Sequence, residues 1–243
     1  NLMRDMLLGH EILQMDETTV QVLKEPDKPP TSKSYMWVQR GGPPGRPVIL
    51  FDYDPSRSQA VPERLLEGYR GYLQCDGYGG YAAVGRREGV LLVGCWAHVR
   101  RKFDEAIKAQ GKKARAGRAT QGLTYIRKLY RIEKLAEGAS PEERYRMRQE
   151  QAVPVLNKMR VWLDKSLPEV PPRSATGRAL NYLAGEWQKL VRYVEDGRLA
   201  IDNNATERTI RPFVIGRNNW LFSDTTRGAE ASARLYSLIS TAR

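Results

Sequence analysis

The stretch that decides the fold reads SYMWVQRGGPPGRPVILFDY, residues 34–53. A strand-like run at residues 34–40 and a strongly apolar run at 47–53 flank the turn-forming cluster GGPPG at residues 41–45. Two such runs on either side of a Gly/Pro cluster are typical of two strands joined as a hairpin. We therefore predict that the chain opens as an antiparallel meander.

The segments on either side of this hairpin extend the sheet. Residues 11–15 and 18–23 hold β-branched and apolar residues around Asp16 and Glu17, which predicts an earlier strand region. After the hairpin we predict a helix at residues 59–69 and short strands at 72–75 and 90–95. This order of elements predicts an α/β fold.

The second half of the chain has helical periodicity. Apolar spacing predicts helices over residues 97–109, 122–138, 141–167 and 173–195. Ser140 followed by Pro141 and two glutamates is a typical helix start. Beyond residue 201 we predict a short capped helix, an apolar stretch at 219–222 and a last helix at 229–241.

Composition limits the class of protein. The 243 residues include 40 Lys and Arg against 28 Asp and Glu, a net charge of +12, and 41% are hydrophobic. That hydrophobic fraction excludes a disordered chain, and no apolar run approaches the length of a membrane-spanning helix. Residues 1–8 are too short an apolar stretch for a signal peptide. Two cysteines are too few for a disulfide scaffold, so we expect a cytoplasmic protein. The net positive charge predicts a polyanionic partner.

The positive charge is concentrated between Val99 and Lys134. Twelve Lys and Arg residues stand there against three acids, a net charge of +9, and residues 111–117 are predicted to form a mobile basic loop. Such a surface can track phosphates, because neutralising phosphates releases condensed counterions. A solvated helix face with a flexible loop has the same composition, so charge alone leaves both interpretations open.

Three acids stand out as candidates for phosphodiester chemistry. Two divalent cations held by carboxylates from separate chain segments promote such reactions. Asp16 lies in the first strand region, Asp76 ends the strand after the first helix, and Glu207 lies in the first turn of a late helix. Neighbouring residues of a strand point to opposite faces, so Asp16 and Glu17 cannot both face one site.

Each acid also has a purely structural interpretation. Asp76-Gly77 is a common turn pair, and Asp16 fits an exposed strand face. Residues 204–207, Asn-Ala-Thr-Glu, fit a helix capping box in which Glu207 reaches back to the cap. The rival ligands are Asp52, Asp54 and, in place of Glu207, Asp202. The residues alone leave these alternatives open.

Four blocks of sequence resemble, in the same order, the conserved blocks of one protein family. They are DETTVQVL at residues 16–23 with KSYMWV at 33–38, FDY at 51–53 with GYLQCDGY at 71–78, GCWAHVRRKF at 94–103, and DNNATERTIRP at 202–212 with GRNNWLF at 216–222. These blocks look like those of bacterial insertion-sequence transposases of the TnpC type, the family numbered sixty-six. The resemblance covers about residues 11–240 and is loose over residues 98–200.

This resemblance implies an RNase H-like core, a mixed five-stranded sheet flanked by helices, with a DDE triad of catalytic acids. Residue by residue, the triad falls on Asp16, Asp76 and Glu207. Asp16 would bridge two Mg²⁺ or Mn²⁺ ions, and the other two acids would each complete one ion. A large all-α insertion would separate the second and third acids. We expect the core at residues 1–104 and 199–243 and the insertion at residues 105–198.

Other residues of these blocks are candidate DNA contacts. They are Lys33, His98, Arg100, Arg101, Lys102, Arg208, Arg211 and Arg217. Arg211 can instead pair with Glu207 one helical turn away. Cys95 and His98 have the spacing of zinc ligands, but only one other Cys and one other His exist, so zinc is not expected. Trp96 and Trp220 can stack on unpaired bases, although burial is the commoner role of Trp.

The sequence departs from the family pattern at two positions. Met15 stands where a small residue is expected beneath the first acid, and Asn218 stands where Lys is usual. Family members also carry an N-terminal region that recognises the element ends, and residues 1–243 contain no match to it.

The sequence as a whole predicts the catalytic domain of a DNA transposase that cuts the ends of an insertion element and joins them to target DNA. The alternatives are a non-catalytic DNA-binding remnant of a transposase and a metal-dependent nuclease of the same fold. The expected partners are element-end and target DNA, a second copy of the chain or a higher assembly on DNA, and accessory element-encoded proteins, with no membrane. We expect the protein in the bacterial cytoplasm, at the nucleoid.

Overall fold

The computed structural model describes residues 2–43, 45–111 and 117–242, which form two compact units. One unit comprises the residues up to Leu92 together with those from Asn203 onward, and it contains the sheet. The other unit runs from Val93 to Asp202 and is built of helices. None of the described helices combines the length and the apolar character needed to cross a membrane.

The sheet has six strands and the chain has ten α-helices in its described part. The strands are β1 (Ile12–Lys24), β2 (Lys33–Gly41), β3 (Val48–Asp54), β4 (Gly71–Gln74), β5 (Val90–Val93) and β6 (Ser223–Thr225). The helices are α1 (Leu2–Leu8), α2 (Ala60–Leu65), α3 (Ala82–Gly85), α4 (Trp96–Ala109), α5 (Arg118–Leu135), α6 (Pro141–Met147), α7 (Val153–Glu169), α8 (Ala175–Val191), α9 (Asn204–Trp220) and α10 (Thr226–Thr241). The strand order is β3-β2-β1-β4-β5, and β6 pairs with β1.

The long central strand β1 determines which side chains lie on each face of the sheet. It is antiparallel to β2, with Asp16 opposite Val38, and parallel to β4, with Gln14 opposite Gln74. Alternate residues point to opposite faces, so two separate cores form. One core packs against α1 and α2 and includes Met15, and the other packs against α9 and α10 and includes Val38.

Two hydroxyl groups of α10 accept hydrogen bonds from the outward-facing N–H groups of the edge strand β3, and we call this arrangement the closure of β3. Ser237 Oγ accepts a hydrogen bond from the Phe51 N–H at 2.8 Å, and Thr241 Oγ1 accepts one from the Ile49 N–H at 3.0 Å. Alternate backbone groups of an edge strand point away from the sheet and are open to pairing with other chains. One helical turn separates the two hydroxyls, so α10 covers successive outward-facing groups of β3.

We predict that Ser237→Ala lowers the free energy of unfolding by about 1–3 kcal/mol, because a buried N–H group loses its acceptor. Urea unfolding followed by circular dichroism measures the change. Ser232→Ala is the matched control, since Ser232 lies on the same helix and has no hydrogen bond from its side chain to any described residue. Equal stability of the two variants would contradict the proposed closure of β3.

The helical unit is built around buried aromatic side chains. Helix α4 packs against α5 and α8, and α7 packs against the same two helices. Trp96 and Phe103 of α4 are fully buried. Helix α6 begins as predicted: Ser140 caps it, Pro141 is its first residue, and Glu143 completes a capping box.

A fully buried arginine joins the helices of this unit. Arg148 lies in the π-helical segment Arg148–Ala152 between α6 and α7. Its guanidinium donates to both carboxylate oxygens of Glu133, at 2.9 and 2.6 Å. It also donates to three backbone carbonyls, of Tyr193, Asp196 and Leu199, at 2.6–2.8 Å. All five N–H donors of the side chain are therefore satisfied.

We predict that Arg148→Met destabilises the protein by about 3–5 kcal/mol, because the partly buried Glu133 would lose its cation and three backbone carbonyls would lose their donor. Thermal and urea unfolding measure this loss. Arg160→Met on α7 is the control: Arg160 pairs with Asp164 one turn away, both side chains are about half exposed, and its loss should cost under about 1 kcal/mol. A double variant Arg148→Met with Glu133→Gln should recover part of the stability, and a purely additive loss would contradict the pairing.

The fold agrees with the predicted α/β class and differs in detail. The predicted five strands are all present, and β6 adds a sixth. Helix α1 and strand β6 were not predicted. The helix predicted to be short after residue 201 runs on through Pro212 to Trp220, because Ile210 and Phe213 pack in the core on the α9 side of the sheet. The apolar stretch predicted at 219–222 is thus the end of this helix and the residues after it.

The predicted boundaries and the observed ones do not coincide. The sequence placed them at 104/105 and 198/199, whereas the compact units divide at 92/93 and 202/203. The difference arises because α4 packs with the helical unit. Most of the basic loop predicted at 111–117, residues 112–116, lies outside the described residues.

Candidate active site

The candidate active site is built on the parallel pairing of β1 and β4. Gln14 and Gln74 are in register on these strands, and Asp16 and Asp76 each lie two residues further along the chain. Parallel strands carry both acids to the same end of the sheet. Residues i and i+2 of a strand share a face, so Asp16 points to the same face as Gln14.

Buried hydrogen bonds join helix α9 to these two strands. Gln14 Nε2 donates to Gln74 Oε1 at 2.7 Å, and Thr206 Oγ1 donates to Gln14 Oε1 at 2.9 Å. All three side chains are buried. We call this arrangement the Gln14 link. Each of its residues precedes one predicted acid, and Thr206 comes directly before Glu207, so the link holds the segments that carry all three acids.

Asp16 is surrounded by other negative charges. The pKa of Asp16 is raised to about 7, with burial as the largest cause and the charges of Glu17, Asp76 and Glu207 contributing to the rise. A hydrogen bond from the Glu17 N–H, at 2.9 Å, acts in the opposite direction. Both other predicted acids therefore lie within electrostatic range of Asp16.

Glu17 lies on the opposite face of the sheet from Asp16, and Arg57 compensates its negative charge there. Its carboxylate accepts hydrogen bonds from Arg57 Nε and from the Tyr81 hydroxyl, both at 2.7 Å, and its side chain is 2% exposed. Burial raises the pKa of Glu17, while Tyr81 and Arg57 lower it. The prediction that Asp16 and Glu17 cannot face one site is thus confirmed. Met15, which departs from the family pattern, is in the core on the Glu17 face.

The rival acids of β3 do not share the face of Asp16. Asp52 is in register with Trp37, which is opposite Glu17, so Asp52 lies on the Glu17 face. It accepts a hydrogen bond from Gln39 Nε2 at 2.8 Å. Asp54 accepts from the Ser56 N–H at 2.7 Å and pairs with Arg64 at 2.8 Å.

The third rival, Asp202, belongs to the helical unit. There its carboxylate accepts a hydrogen bond from the Tyr130 hydroxyl at 2.8 Å. Burial and the charge of Asp202 both raise the pKa of Tyr130, so the tyrosine stays a hydrogen-bond donor.

Of the structural interpretations, the turn is present and the capping box is not. Asp76 Oδ1 accepts a hydrogen bond from the Tyr78 N–H at 2.9 Å, which shapes the turn after β4. Helix α9 starts at Asn204 with Asn203 as its N-cap, and no side chain caps it. The predicted box, with Asn204 as cap, is wrong because Asn204 is already helical.

The three acids fit a divalent cation by donor type and charge. Carboxylate oxygens are the ligands that Mg²⁺ and Mn²⁺ prefer, and the charge that raises the pKa of Asp16 is charge that a cation would neutralise. In residues 2–43, 45–111 and 117–242, no group of three or more His, Cys, Asp or Glu side chains is already arranged to hold a metal ion. The acids are thus near one another without forming a preformed metal cage.

Four of the predicted DNA contacts lie in the same unit as the acids. Lys33 and Arg217 line one cavity of about 440 Å³, together with Asn218. Arg217 also donates hydrogen bonds to Thr18 Oγ1, at 3.1 Å, and to the Thr19 carbonyl. Arg208 lines another cavity, and Arg211 is exposed on α9.

The other four predicted contacts lie on α4 in the helical unit. They are His98, Arg100, Arg101 and Lys102. Arg100 pairs with Asp104 at 3.7 Å, and Lys102 pairs with Glu105 at 3.8 Å. Trp96 is fully buried and its Nε1 donates to the Leu190 carbonyl at 3.0 Å, so it is not available for stacking.

Sequence reasoning missed the residues that support the acids. They are Gln14, Gln74 and Thr206. Sequence reasoning also missed Arg40, which lines a cavity together with Arg208. One signal was present in the sequence: Gln14 and Gln74 are each a polar residue in an apolar strand, two positions before an acid. Burial is the largest cause that lowers the pKa of Arg40, followed by the charge of Arg208.

The fold and site define a mixed α/β protein in which Asp16, within β1, lies in electrostatic range of Asp76, which follows β4, and of Glu207 on α9. The family model described as "Transposase IS66 family" matches residues 1–231, so the chain belongs to the IS66 transposase family. This is the family that the sequence blocks resemble.

Curated relatives of similar sequence come from Sinorhizobium fredii (strain NBRC 101917 / NGR234). The uncharacterized protein y4qI is 31% identical over 94% of this chain and 44% of its own length. The uncharacterized protein y4hP is 31% identical over 96% of this chain and 45% of its own length. The chain thus spans less than half the length of these relatives.

We predict that Asp16→Asn stabilises the metal-free protein above pH 7. The pKa of Asp16 is about 7 in the folded protein and 3.8 in the ordinary case. Its ionisation therefore opposes folding increasingly as the pH rises from about 4 to 7, and not below that range. Urea unfolding at pH 8 should show the variant to be more stable by about 2–4 kcal/mol, and the two proteins should converge near pH 4.

Asp54→Asn is the matched control, because its carboxylate pairs with Arg64 and accepts a backbone hydrogen bond. That change should destabilise the protein at pH 8. If Asp16→Asn were less stable than the wild type at pH 8, the ionised carboxylate of Asp16 would not destabilise the folded protein and this prediction would be wrong.

Proposed function

We propose that this chain is the catalytic domain of a DNA transposase, which cuts the ends of an insertion element and joins them to target DNA. The observation that supports the proposal is that Asp76, which follows β4, and Glu207 of α9 both lie within electrostatic range of Asp16 of β1. The Gln14 link joins the segments that carry these acids. Membership of the IS66 transposase family supports the same conclusion.

We also propose that the first unit is an RNase H-like core. Its support is the strand order, in which three antiparallel strands are followed by β4 parallel to β1. In this reading the helical unit is an insertion between the second and third acids, since it runs from Val93 to Asp202 in the sequence. Its basic segment from Val99 to Lys134 is a candidate DNA surface.

In the proposed chemistry the three acids hold the metal ions. Asp16, Asp76 and Glu207 would together bind two Mg²⁺ or Mn²⁺ ions, which would supply activation of the attacking oxygen and stabilisation of the leaving oxygen. The protein contributes by holding the three carboxylates on elements fixed by the Gln14 link, and by keeping Glu17 on the other face. Zinc has no part in the proposal.

The proposed partners follow from this chemistry. They are element-end and target DNA, a second copy of the chain or a higher assembly on DNA, and accessory element-encoded proteins. We propose that the protein acts in the bacterial cytoplasm, at the nucleoid.

A strand-transfer assay tests the function. Pre-cut DNA ends and a plasmid target are incubated with the protein and Mn²⁺, and joined products are counted. We predict that Asp16→Asn, Asp76→Asn and Glu207→Gln each lower joining by about 10³-fold or more. Asp52→Asn, which changes a half-buried acid on the opposite face, should stay within about threefold of the wild type.

Each alternative gives a different result in this experiment. Cleavage of uncut ends without joining would indicate a nuclease of the same fold. Absence of both activities, together with no Glu207-dependent Mn²⁺ binding in calorimetry, would indicate a DNA-binding remnant. Full joining by Asp16→Asn would overturn the assignment of the acids.

A further inference from the structure

Two arginines converge beside the acids on the α9 face of the sheet. Arg40 of β2 is in register with Gln14 of β1 and with Ile49 of β3, so it points toward α9. Arg208 follows Glu207 in the first turn of α9. Both side chains line a cavity of about 290 Å³, and the hydroxyl residues Thr209 and Ser240 line it as well.

The positive charge in this cavity is not compensated by the described part of the protein. Arg40 and Arg208 lie within electrostatic range of each other, and neither forms an ion pair with a described acid. The buried Arg148, by contrast, pairs with Glu133. Arg40 is half-buried and Arg208 is exposed. Like charges this close repel each other, and an anion between them would relieve that repulsion.

The geometry points to a backbone phosphate of DNA as this anion: we propose that Arg40 and Arg208 together bind one phosphate of the substrate strand. A phosphodiester has two unesterified oxygens, which two guanidinium groups can bind at once with charge-assisted hydrogen bonds. The identification of the ligand as DNA rests on the proposed function, whereas the binding of a phosphate group rests on the cavity alone.

The position of the cavity suits a phosphate near the reacting one. Arg40 is opposite Gln14, and Asp16 lies two residues along β1 on the same face. Two residues of a strand span about 7 Å, which corresponds to about two nucleotides of rise along one DNA strand. A strand held by Arg40 and Arg208 would thus be fixed close to the acids without its held phosphate occupying their site.

DNA binding in the absence of divalent cations tests this proposal separately from catalysis. The dissociation constant of a fluorescent duplex is measured in EDTA for the wild type, Arg40→Met, Arg208→Met and the double variant. We predict that each single change weakens binding about tenfold and lowers the salt dependence by about one phosphate contact. The double variant should be within about threefold of the weaker single variant, because both arginines serve one phosphate.

Controls keep these results interpretable. Arg234→Met removes a guanidinium from a side chain that is 80% exposed on α10, and it should change binding by less than about twofold. Arg40→Lys should recover part of the affinity by restoring the charge. Additive losses in the double variant, an unchanged salt dependence, or a wild type that binds no duplex at 100 µM protein would each overturn the proposal.

Inorganic phosphate gives a second readout that needs no DNA. At matched ionic strength, phosphate should raise the melting temperature of the wild type relative to chloride and should not raise that of Arg40→Met. Stabilisation of both proteins to the same extent would also overturn the proposal. If these tests succeed while strand transfer fails, the phosphate site stands and the catalytic assignment falls. The reverse outcome removes only the phosphate site.

Discussion

The site depends on one buried amide, that of Gln14. A buried amide is costly unless both its N–H and its carbonyl are hydrogen-bonded, and here Gln74 accepts from the first while Thr206 donates to the second. A shift of α9 relative to β1 or β4 would break one of these bonds in a region of low dielectric. The amide therefore couples three segments that are far apart in the sequence, and each segment carries one of the acids.

Hydrogen bonds from an arginine hold the other end of α9 against β1. Arg217, in the last turn of α9, donates to Thr18 and Thr19 of β1. Between the two ends, Ile210 and Phe213 pack against the sheet. With α9 fixed at both ends, Glu207 has little freedom to move away from Asp16. The negative charges near Asp16 lower the stability of the folded protein. Such a loss of stability is common at sites that bind a ligand.

Local sequence predicted the parts of this arrangement that local rules control. The hairpin at residues 34–53 forms as β2 and β3, and strand alternation correctly separates Asp16 from Glu17. The continuation of α9 past Pro212 could not be predicted, because it depends on core contacts with strands about 160–190 residues away. The Gln14 link and the approach of Arg40 to Arg208 are likewise set by tertiary pairing. The three acids could be predicted individually from the sequence, whereas the buried residues that hold their segments in place could not.

The arginines of α9 show why residue type alone does not determine a role. Arg208 and Arg217 both lie in the family blocks and were equally good candidates for DNA contact. Arg217 already donates to oxygens of β1, so binding a phosphate would require it to share or exchange those bonds. Arg208 faces another cation and has no acid among the described residues to pair with, so an anion would lower the energy of its surroundings. For the proposed contact with DNA, the acceptors that the sheet supplies therefore decide which arginine is available, and this favours the first turn of α9 over its last.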